Sequence, residues 1–101
     1  MTTPERRALL TAALGFAQIQ WRGETPAPRA LHAYLDNWRG LGAVVDGMRA
    51  QGYAFNLSTV DRTTWRATFA RHPLFAADGF GAGETPWRAV QVAAWAALRR
   101  L

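Results

Sequence analysis

YAFNLSTVDRTTWRATF, residues 53–69, decides how this chain folds. Successive side chains of a strand point to opposite faces, so Tyr53, Phe55 and Leu57 share one side of the first run and Trp65, Ala67 and Phe69 share one side of the second. The polar triplet Asp61-Arg62-Thr63 lies between them. The stretch reads as a β-hairpin with one buried face.

Helices flank the hairpin. Residues 37–51 carry Trp38, Leu41, Val45 and Met48 at spacings of three and four, with Asp36 as a cap and Gly52 as a stop. A loop rich in Gly and Ala, residues 72–83, leads into a last helix in which Trp87, Val90, Ala94, Leu98 and Leu101 form the core stripe. Near the start, residues 4–14 place Leu9, Leu10, Ala13 and Leu14 on an apolar helix face, with Gly15 as the stop. Residues 16–22 alternate as a short strand, and a Pro-rich connection follows. The expected order is α-β-α-β-β-α. It implies an α/β fold of the α+β kind, a small, mostly antiparallel sheet of two or three strands with helices packed on it, in one domain over residues 1–101.

The tetrapeptide GETP occurs at 23–26 and again at 83–86. Thr is a good N-cap, and Pro is best tolerated at the first helical position, where its missing N–H has no intrahelical acceptor anyway. Thr3-Pro4, Thr25-Pro26 and Thr85-Pro86 therefore read as helix entries, with Glu24 and Glu84 beside the positive end of the helix that follows. The repeat is punctuation and not a duplicated loop.

The chain has 101 residues, no cysteine and no stretch apolar enough for a membrane span or a secretory leader. A cytoplasmic protein, in the cytoplasm of a host cell, is expected. The formal charge of +5 comes from 12 arginines without a single lysine, against seven carboxylates. An all-Arg cation set beside abundant Ala, Gly and Trp is what a GC-rich coding sequence produces, and the arginines are dispersed along the chain. A nucleic-acid partner on an arginine-rich surface is the alternative reading of this charge.

The residues offer little chemistry. His32 and His72 stand apart, with no His, Cys or carboxylate at ligand spacing, so no metal is expected. Ser58, the only serine, lies on a strand and not on a nucleophile elbow, and the seven carboxylates form no acid/base pair. Gly79 to Gly83 imitates a phosphate cradle, but no Lys or Ser/Thr follows at the required spacing, and Glu84 places a carboxylate where a phosphate would sit. That stretch reads as a flexible loop. Neither an enzyme nor a cofactor is expected.

Four tryptophans, Trp21, Trp38, Trp65 and Trp87, are each followed by arginine. Neighbouring residues diverge on both strands and helices, so the four Trp rings are assigned to the core and the arginines to the surface. On the last helix a second line, Arg88, Val92, Trp95 and Arg99, runs about 100° from the core stripe. An aromatic flanked by arginines is the composition of an interface hot spot. Trp95 is either an anchor for a partner or a residue at the rim of the core.

Taken in order, several of these stretches resemble the phage ABA-sandwich family. They are LLTAALGF at 9–16, Tyr34, the Val44-Val45-Asp46 step, the strand Trp65-Arg66-Ala67-Thr68-Phe69, and the closing helix from Thr85-Pro86. The resemblance spans most of the chain and implies a small α/β sandwich from a phage or prophage. The family carries no agreed activity or catalytic residues. The expectation is therefore a non-enzymatic accessory factor that binds a host or phage protein, with inhibition of a host defence complex, CRISPR for example, as one concrete role. Oligomeric state is open.

Overall fold

A computed structural model describes Glu5, Ala8 and Leu9, residues 36–72 and residues 77–99. The first three are helical, and Leu9 is fully buried in the same apolar cluster as the rest of the core. The remainder of the expected first helix, the expected strand at 16–22, the first two Thr-Pro pairs, Trp21, His32, Tyr34 and Leu101 lie outside the described residues.

Helix α1 spans Trp38–Ala50. Its N-cap is Asn37, one residue later than expected, because the Asn37 side-chain oxygen accepts the Gly40 N–H at 2.9 Å. The C-terminus closes as the sequence anticipates. Gly52 adopts φ 95°, its N–H reaches the Arg49 carbonyl at 3.0 Å, and the Tyr53 N–H reaches that of Met48 at 3.2 Å. A left-handed residue with this pair of bonds satisfies carbonyls that the helix leaves open, and only glycine adopts that φ without steric cost. Leu41, Val44 and Met48 are buried, whereas Val45 is only partly so. The inward line therefore runs one position earlier than the Leu41-Val45 spacing suggested. Trp38 is a larger correction: it is 59% exposed.

Strands β1 (Ala54–Thr59) and β2 (Trp65–Ala70) form the expected antiparallel hairpin, with Phe55 opposite Phe69, Leu57 opposite Ala67 and Thr59 opposite Trp65. The predicted inward set stays together. Tyr53, Ala67 and Phe69 are buried, and Phe55, Leu57 and Trp65 pack partly against the same core. In the turn the backbone N–H of Thr63 donates to the Asp61 carboxylate at 2.8 Å and its hydroxyl does so at 3.0 Å. These bonds to the charged form hold the Asp61 carboxyl below its ordinary value.

The stretch expected as a flexible loop contains a strand. β3, Gly79–Gly83, pairs antiparallel with β2 and makes it the central strand of a three-stranded sheet, order β1-β2-β3. Alternation survives in GFGAG: Gly79 and Gly81 point inward and are buried, while Phe80 and Ala82 point outward and are exposed. The reason for glycine lies in helix α2, Pro86–Leu98. A Cβ on Gly81 would strike the Ala89 carbonyl and the Ala93 N–H, and one on Gly79 would stand 2.7 Å from the Ala97 Cβ. Ala89, Ala93 and Ala97 recur every fourth residue, forming a row of small side chains that lets the helix backbone rest on the strand. Val90 and Ala94 are fully buried beside that row, with Trp87 and Leu98 packed partly against the core. The described order is α-β-β-β-α, an α+β fold with helices packed on an antiparallel sheet.

Thr85 caps α2 as its sequence signature implies, its hydroxyl oxygen accepting the Arg88 N–H at 3.2 Å with Pro86 next in line. Thr85→Ala is expected to lower stability by about 0.5 to 2 kcal/mol through the lost cap. Urea unfolding measures it. A change below that range would mean that Pro86 and tertiary packing alone define the helix start.

Candidate partner-binding site

The N-terminal ends of α1, β2 and α2 each carry a tryptophan, and the fold gathers the three. Trp38 meets Trp65 and Trp87 edge to face, with centroids 6.1 Å apart in both pairs and interplanar angles of 81° and 85°. Such pairs contribute about 0.5 to 1.5 kcal/mol each beyond area burial. The arrangement holds a largely exposed indole in one orientation. An aromatic fixed before binding loses little rotamer freedom when a partner covers it.

Beside this cluster lies an open cavity of about 230 Å³. Trp87, Arg88, Gln91 and Val92 of α2 line it on one side, and Asp36, Glu84 and Thr85 complete it. Gln91, a buried polar residue, donates from Nε2 to Asp36 Oδ1 at 3.3 Å, tying α2 to the entry of α1. The lining mixes two carboxylates, one guanidinium and an amide around a tryptophan. It suits recognition of a polar protein surface with an apolar centre.

The four residues predicted for the partner face occupy different environments. Arg88 and Arg99 are exposed, while Val92 and Trp95 are half-buried. Arg88 and Val92 also cover β3, because a Cβ on Gly83 or Gly81 would lie about 3.0 Å from their side chains. Trp95 packs partly against the core, with the Arg99 guanidinium 5.9 Å above its ring. Arg88 and Val92 meet at the cavity, and Trp95 and Arg99 lie farther along the same helix. The set runs 11 residue steps along α2, from Arg88 to the C-cap Arg99, or about 16 Å.

Sequence reasoning missed Trp38 as a surface residue. Its helical spacing to Leu41 matched a core position, but it is the first residue of α1, and the sheet ends beside it. Ser58 and His72 are exposed, and among the described residues no three His, Cys, Asp or Glu side chains are grouped as a metal site would require. No described helix is long and apolar enough to cross a membrane. No family model, curated protein or solved structure matches the chain.

Proposed function

We propose that this protein is a small phage- or prophage-encoded accessory factor that binds another protein and performs no catalysis. The observation that carries this reading is Trp38, 59% exposed yet braced by Trp65 and by Trp87, which itself lines a mixed polar cavity. Tryptophan and arginine are the residues most enriched where binding energy concentrates, and both stand here on helix ends that do not need to move. Arg88, Val92, Trp95 and Arg99 extend the surface along α2. The phage setting rests on the resemblance of the hairpin strand and closing helix to the phage ABA-sandwich family. Within that setting, blocking a host defence complex is a role that a compact binding factor can fill from the host cytoplasm.

Capture from host lysate on tagged protein, with and without nuclease, tests the reading. The captured protein is expected to survive digestion. Trp38→Ala and Trp95→Ala, compared at matched folded fraction, should each weaken binding about thirtyfold or more if the residue is a hot spot. Recovery that disappears with nuclease, or that neither substitution changes, would refute a protein-binding function for this surface.

A further inference from the structure

The sheet has a second face, turned away from α1 and α2. Cross-strand register places Asn56, Thr68 and Phe80 in one row, and Ser58, Arg66 and Ala82 in the next. All are exposed except Thr68, which is half-buried. Phe80 is 53% exposed on β3, and the Arg66 guanidinium carbon stands 5.9 Å from the centre of its ring. The five residues other than Ala82 line a shallow depression of about 280 Å³.

The composition of this face selects its occupant. Its two rows hold one aromatic ring, one guanidinium and three small hydrogen-bonding side chains, and no carboxylate, in a chain of net charge +5; Asp78, which lines the adjoining depression with Phe80, accepts the Arg71 N–H. A protein interface has a desolvated core of several large apolar groups. In these two rows Phe80 is the single large one. An exposed ring on a three-stranded antiparallel sheet, next to a cation and short polar groups, offers instead a base a stacking surface, a phosphate a charge partner, and base edges hydrogen bonds. Duplex is a poor fit because its bases are already stacked. We propose that the open sheet face binds single-stranded nucleic acid, with Phe80 stacking on a base and Arg66 pairing with an adjacent phosphate. The site borders the α2 surface at one edge, where Phe80 and Arg99 line a common depression, but its argument does not rest on that reading.

Fluorescence anisotropy of labelled oligothymidylate and oligouridylate, titrated with purified protein, tests the proposal. Binding in the micromolar to hundred-micromolar range at about 50 mM salt is expected, weakening as salt rises. Phe80→Ala should lower affinity about fivefold to a hundredfold, and Phe80→Trp should restore it, because stacking needs only a π-face. Circular dichroism confirms that both variants fold, as an outward residue allows. Arg66→Gln should reduce the slope of log affinity against log salt by about 0.7, the share of one phosphate on a single strand. No binding at low salt, equal affinity for Phe80→Ala, an unchanged salt slope for Arg66→Gln, or a preference for duplex would each overturn the proposal. So would a nuclease-resistant protein captured through Phe80 in the absence of oligonucleotide binding. The titration contains no lysate, so its failure is distinct from failure of the α2 surface to bind protein.

Discussion

Phe69→Ala lowers the stability of the fold by about 3 to 5 kcal/mol. Among the described residues Phe69 is the largest fully buried side chain, and it sits on the central strand, with its ring 5.2 Å from that of Phe55 and 6.4 Å from that of Tyr53. The cost stays high because the site cannot collapse. β2 is bonded on both edges, to β1 and to β3, and α2 packs across it, so no neighbour can move into the vacated volume without breaking ladder bonds. Urea unfolding with an unchanged m value isolates the effect. A loss below about 1 kcal/mol would mean that Phe69 does not face the core. Because a slip of one residue turns every side chain of a strand over, that outcome would also discard the hairpin register.

Gly81→Ala is expected to cost about 3 kcal/mol, the upper part of the range for overpacking, although it adds a single methyl group. The methyl meets backbone atoms of Ala89 and Ala93, which cannot rotate aside as a flexible side chain would. Relief requires α2 to lift from β3 as a unit, and that opens the Val90 and Ala94 contacts behind it. Gly42→Ala provides the control within the same molecule. It lies within α1, and beyond its own helix backbone and chain neighbours nothing stands within 4 Å of the added Cβ, so it should raise stability by about 0.5 to 1 kcal/mol through helix propensity. Opposite signs for one chemical change, read as shifts in urea midpoint, are the expected result. Equal signs would show that β3 and α2 are not in close contact.

The parts of the fold legible in the sequence are those governed by local periodicity. The hairpin face from Tyr53 to Phe69, the Thr85-Pro86 helix entry and the Gly52 stop each rest on a rule spanning only a few residues. Small errors arose where two local solutions were nearly equal. Asp36 and Asn37 are both good caps, and the bond to the Gly40 N–H chose the second. Val44 and Val45 are adjacent on α1, and the direction from which the sheet approaches chose the first.

Larger differences appear where distant segments meet. In sequence GFGAG carries the marks of a loop, since glycine is a weak strand former and often ends elements. Its strand identity comes from the Ala89-Ala93-Ala97 row, a partner that no local window contains. The candidate sites behave in the same way. Arginine and tryptophan on α2 were visible as a stripe, but the exposure of Trp38 depends on where β2 ends, and the exposure of Phe80 depends on β3 being a strand at all.

By itself, then, the sequence determined the α+β class, the inward face of the hairpin, the Gly52 helix stop and the Thr85-Pro86 helix entry, because each follows from dihedral preferences and side-chain periods confined to one segment. Only the tertiary structure decided that the glycine-rich stretch is the third strand, that Trp38 faces solvent against two other indoles, and that Phe80 and Arg66 share an open sheet face. Those features depend on the volume available between segments distant in sequence, and close packing sets that volume for all the segments together.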